Sequence, residues 1–118
     1  MIEKTYPFTR TDSQTLEKIV DDDRVNINHI VVEPGKAVPT HVSNSFVHQV
    51  VVRGILSLSL EDGPVNRHPA GTIVAVPFNT KMAISNEGAE PLEFFVVKAP
   101  HPRPMPPAPP RPASPPKP

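Results

Sequence analysis

The sequence contains no cysteine, which removes disulfide staples, thiolate nucleophiles and thiolate zinc sites in one step. Such a chain must stand on packing, and any metal must rest on imidazole, carboxylate, amide or thioether groups. Net charge is absent too: twelve Lys and Arg offset twelve Asp and Glu, so no bulk potential draws the chain to nucleic acid or to an anionic membrane surface. Aromatics are scarce, five Phe and one Tyr, and the basic residues are scattered, which leaves no stacking platform for bases. No apolar run approaches the ~18 residues of a membrane span, and "MIEKTYPF" lacks the apolar stretch of a signal peptide. The expectation is a cytoplasmic protein with no nucleic-acid and no membrane partner. Phosphate-cradling glycine loops, dinucleotide fingerprints and nucleophile-elbow serines are missing as well.

Proline is what the chain has in excess. Eleven of eighteen prolines fall between Pro100 and Pro118, in a stretch that cannot donate a backbone ladder and has little to bury. Residues 1–100 are therefore expected to form the domain and residues 101–118 a disordered proline-rich tail. The first 99 residues hold nine bases against twelve acids, and the tail adds Arg103, Arg111 and Lys117. Within the tail "PPAPPR" has the P-x-x-P-x-R arrangement bound by some aromatic grooves, set against a plain solvated end.

Ahead of the tail the apolar period is two. Leu56, Leu58 and Leu60 alternate with Ser57 and Ser59, and Val25, Ile27, His29 and Val31 alternate with polar partners. "TIVAVP" and "LEFFVVKAP" add short apolar runs, whereas "DSQTLEKIVDD" reads as helix or as strand and loop. Pro34-Gly35 suits a type II turn, Asp62-Gly63 signals a hairpin, and Asn86 to Pro91 reads as a loop. Eight or so short strands with these turns predict an all-β sandwich or barrel.

Two stretches carry a family pattern. In the first, Gly35 is followed after five residues by His41, and Gly54 closes the segment; in the second, "GTIVAVPFNTKMAISN" runs from Gly71 through Pro77 to Asn86. Both frames resemble the two strand-turn-strand motifs of the cupins. The resemblance spans about Ile27 to Lys98 and implies a cupin-type jelly-roll β-barrel of two antiparallel sheets. It further implies a metal held inside the barrel by two His, a Glu and a third His. Here those positions carry His41, Ser43, Val47 and Met82, so the usual four-ligand site is not intact.

His48 lies one residue beyond the Glu position. With Gln49 and Arg53 assigned to solvent, the other parity of the strand, His48, Val50 and Val52, points inward; an extra residue near Asn44 to Phe46 would reverse this. If His48 faces inward, His41, His48 and Met82 form a two-imidazole, one-thioether set suited to one soft transition-metal ion such as Cu(I). Against this stand a hydrogen-bonded barrel histidine and a methionine that fills core.

The reading is a barrel whose mouth, lined by His41, Ser43, His48, Asn79 and Met82, binds a small-molecule ligand or a metal ion. The alternatives are two. One is an enzyme of oxygenase or isomerase type with a non-standard ligand set, or with His41 or His48 as general base. The other is an interaction protein that recruits through its tail. The resemblance and the polar, β-prone N-terminus imply a homodimer.

Overall fold

The structure, a computed structural model, describes residues 2–107. Most of the "PPAPPR" run lies outside the described residues. Among the described residues there are nine strands and no helix: β1 (Thr15–Asp21), β2 (Asn26–Val32), β3 (Ala37–Val42), β4 (Val47–Arg53), β5 (Ile55–Leu60), β6 (Val65–Pro69), β7 (Ile73–Val76), β8 (Lys81–Ser85) and β9 (Leu92–Lys98). No helix is long and apolar enough to cross a membrane among the described residues. The ambiguous "DSQTLEKIVDD" segment is the edge strand β1.

Every pairing is antiparallel, in a five-stranded sheet ordered β1-β2-β9-β4-β7 and a four-stranded sheet ordered β3-β8-β5-β6. The inner faces meet in one core that includes Ile30, Val32, Val47, Val51, Leu56, Leu58, Ile84, Leu92 and Phe94. Each such side chain contributes roughly 1.5–3 kcal/mol by leaving water, and period-two alternation delivers one from every second position. Leu56 and Leu58 face this core as their spacing predicts.

Turn chemistry fixes the connections. Gly35 has φ 80° and Lys36 N–H donates to Glu33 C=O at 3.0 Å, the type II turn expected at Pro34-Gly35. The β5–β6 hairpin forms where Asp62-Gly63 announces it, but its central pair lies one residue earlier. Glu61 and Asp62 have φ 55° and 57°, and Gly63 N–H donates to Leu60 C=O at 2.9 Å, so a type I′ turn sits on two acidic residues. Gly54 joins β4 to β5 at φ 76°, and a Cβ there would run into the Pro91 carbonyl oxygen.

The strand β2 is covered on both sides. Asn28, Ile30 and Val32 face the barrel, while Ile27, His29 and Val31 lie on the outer face. There the N-terminal segment crosses over them. Thr9 donates through its N–H and its hydroxyl to the two carboxylate oxygens of Glu17 at 2.8 and 2.9 Å. The Phe8 ring lies 4.9 Å from both the His29 and Phe95 rings.

Packing also continues past residue 100: His101 is buried with Nε2 at 2.5 Å from Asp21, and Arg103 pairs with Asp21 and Asp23 at 3.3 and 2.8 Å.

Candidate functional site

The barrel opens into a cavity of about 250 Å³ between the two sheets. Its walls come from strands rather than loops. Strand β3 lies opposite β8 with His41 facing Met82 across the ladder, so both side chains are on the inner face, Met82 buried in the core and His41 exposed at the rim. The His41 ring lines the cavity but is exposed, and its Nδ1 lies 3.0 Å from the Pro39 carbonyl oxygen. Because a carbonyl only accepts, Nδ1 carries the hydrogen and Nε2 is left for a ligand. The imidazole thus stands at the mouth of the cavity rather than enclosed within it.

The direction expected for His48 is also corrected. In β4 the buried residues are Val47, Gln49 and Val51, whereas His48 and Val52 are exposed. Arg53 was the misleading marker. A register shift between Val51 and Arg53 re-aims Arg53 to the outer face, opposite Glu93, so its exposure says nothing about Gln49. Alternation between Ser43 and Val51 is otherwise unbroken. His48 is therefore on the far side of the sheet from His41 and Met82, and these three do not form one set.

Ser43 and Asn79 belong to the turn beside the cavity rather than to its lining. The Ser43 hydroxyl donates to Pro77 C=O at 2.6 Å and accepts Thr80 N–H at 2.8 Å, which clips the β7–β8 turn to the end of β3. Asn79 occupies φ 60° in that turn, a left-handed position that Asn tolerates better than most side chains.

Three polar residues that sequence reasoning missed complete the wall. Gln49 is 0% exposed; its Nε2 donates to the Met82 sulfur at 3.7 Å and its Oε1 has no partner. Asn28 lines the same cavity with Oδ1 likewise unpartnered. Lys98 ends the buried row Leu92, Phe94 and Val96 and also lines the cavity. Burial holds its ammonium below the usual lysine range, and the neighbouring Lys18 charge pushes the same way. No carboxylate lines this cavity among the described residues. The signal for Lys98 was a polar residue in phase with the apolar row Leu92, Phe94 and Val96; Asn28 lay among the polar partners of Ile27, His29 and Val31, the phase that the structure turns toward the barrel. For Gln49 it was masked by the bulge.

A second polar cluster lies outside the barrel, under the N-terminal segment. His29 is 0% exposed, with Nδ1 at 2.9 Å from Glu17 and Nε2 at 2.6 Å from Glu93. Arg53 ties Glu93, Asp12 and the Thr11 carbonyl to the same surface. This cluster fastens the N-terminal segment, and its Thr11, Asp12, Arg53 and Glu93 line, with Arg10, an open surface cavity of about 420 Å³.

Comparison with known proteins fits this architecture. No protein-family model matches the chain. An uncharacterized protein of Methanocaldococcus jannaschii is 49% identical over 104 residues, covering 87% of this chain and 90% of that one. A solved structure from the same organism, described as an RmlC-like cupin family protein with a double-stranded β-helix fold, is 49% identical with a TM-score of 0.84, over 87% of this chain and 95% of that one. The chain belongs to the RmlC-like cupin family. More distant cupin-fold structures agree in fold alone. A double-stranded β-helix protein from Klebsiella pneumoniae is 21% identical at TM-score 0.69, covering 81% and 84% of the two chains. A Cupin 2 conserved barrel domain protein from Salinispora arenicola is 17% identical at 0.69, covering 82% and 88%.

The metal that a cupin frame implies does not fit these residues. Among the described residues no group of three His, Cys, Asp or Glu is placed to hold an ion. Ser43 is spent on the turn, Met82 accepts from Gln49, and among the described residues no second imidazole and no carboxylate lines the cavity with His41. One imidazole and a thioether do not retain a divalent ion.

Proposed function

We propose that this cupin is a small-molecule-binding barrel that holds its ligand in the cavity between His41, Met82, Gln49, Asn28 and Lys98 by hydrogen bonds and charge, without a metal. The observation that carries the reading is Gln49. A fully buried amide with an unpaired carbonyl oxygen costs about 1–3 kcal/mol, and a chain that keeps it on a cavity wall gains when a ligand donates to it. The remaining wall is apolar, from Leu16, Ile30, Val38, Ile84 and Val96, which suits a body smaller than a drug-sized ligand.

Native mass spectrometry of untagged protein tests this. Wild type is expected to carry a small adduct released on denaturation, the Gln49→Leu variant to have lost it, and elemental analysis to find no stoichiometric metal in either. Stoichiometric metal that disappears in His41→Ala would overturn the reading.

Pairing of two barrels belongs to the same proposal. Leu16 on β1 and Ile73 on β7, both on edge strands of the large sheet, are 62% and 64% exposed, and exposed edges favour association. Light scattering at micromolar concentration is expected to give the dimer mass, and a monomer mass would remove this part.

A further inference from the structure

Resting on the cavity-binding reading, we infer that the ligand is a small hydroxycarboxylate, its carboxylate against Lys98 and its hydroxyl donating to Gln49. Each part answers a need of the wall. The Lys98 ammonium is half-buried, faces the cavity, and has Lys18 as its charged neighbour, with no acid lining the space among the described residues. A desolvated cation without a counter-charge is costly, and a bound anion relieves it.

The amide oxygens need the opposite. Gln49 Oε1 and Asn28 Oδ1 are acceptors without donors, so they repel a carboxylate and select a hydroxyl. An anion alone satisfies Lys98 and leaves the amides orphaned; an alcohol alone does the reverse. A molecule with both groups on a short carbon skeleton meets Lys98 with its carboxylate and Gln49 Oε1 with its one hydroxyl hydrogen, and lays its carbons on Ile30, Val38, Ile84 and Val96. His41 Nε2 at the rim, an acceptor while Nδ1 holds the hydrogen, is an alternative partner for the hydroxyl. A phosphate ester is disfavoured because a dianion is ordinarily met by arginine forks or several backbone N–H groups, and a single lysine lines this wall among the described residues.

Calorimetric titration of the whole protein with three matched series tests the assignment: α-hydroxyisovalerate and α-hydroxybutyrate, then isovalerate and butyrate, then the corresponding alcohols, with inorganic phosphate as a fourth probe. The hydroxy acids are expected to bind, the plain acids about tenfold more weakly, and the alcohols and phosphate not at all. Lys98→Met should abolish binding of both acid series. Gln49→Leu should reduce the hydroxy acids to the level of the plain acids, and this loss separates a positioned hydroxyl from simple charge attraction. Equal binding of alcohols and hydroxy acids, or full affinity in Lys98→Met, overturns the inference. If no probe binds at about 10 mM while the native adduct persists and depends on Gln49, the hydroxycarboxylate assignment fails and the cavity reading stands. If the adduct is also absent, both fail.

Discussion

Gln49 and His48 are neighbours in sequence with opposite fates, and substitutions at the two positions should separate cleanly. Replacing Gln49 by Leu removes an unpaired buried carbonyl at similar volume, so the free protein is expected to gain about 1 kcal/mol in denaturant unfolding while binding its ligand about tenfold more weakly. A loss of more than about 1 kcal/mol would mean that Oε1 has a partner. His48→Ala, on the outer face, should change neither binding nor stability beyond about 0.5 kcal/mol. Glycine positions offer a second contrast. Gly54 combines φ 76° with the Pro91 carbonyl in its path, whereas Gly35 at φ 80° has open space. Gly54→Ala is therefore expected to cost about 2–4 kcal/mol and Gly35→Ala about 1 kcal/mol, measured by the same unfolding midpoints. Equal costs would place the strain in the backbone alone.

At the scale of the element, the N-terminal segment is held to the outer face of the large sheet by Glu17. The Thr9 N–H, then the His29 ring and the Thr9 hydroxyl, hold the Glu17 carboxyl below its usual value of 4.5. A depressed carboxylate contributes stability that is present above its unfolded value and is lost as pH falls through the folded one. Unfolding free energy should thus decline below about pH 4.5, and Glu17→Gln should flatten that decline while lowering stability at pH 7. An unchanged acid limb in the variant would show that Glu17 is not linked to folding.

Strands and turns were legible in the sequence where one physical rule acted alone: period two in Leu56, Leu58 and Leu60, and positive φ at Gly35. Reading failed where two rules competed. The bulge before Arg53 moved that side chain to the opposite face from Gln49, and β2 has cover on both faces because a distant segment crosses it. His29 finds its two carboxylates 12 and 64 residues away, a closure that no local pattern contains.

For the whole molecule, two sheets turn a neutral, cysteine-free chain into an enclosure with a small polar wall. The motif frames single out His41 and Met82, which the structure sets opposite each other across the β3–β8 ladder, because glycine and proline spacing fixes where strands turn. They were silent about Asn28, Gln49 and Lys98, which enter only when β2, β4 and β9 lie side by side in one sheet. The most direct test of the account is a titration of nitrogen-labelled protein with α-hydroxyisovalerate, following side-chain resonances. The account predicts saturable shifts of the Gln49 and Asn28 amides and the His41 ring, with the His48 ring unmoved. A His48 ring that shifts together with His41, while the Gln49 amide stays still, would contradict it.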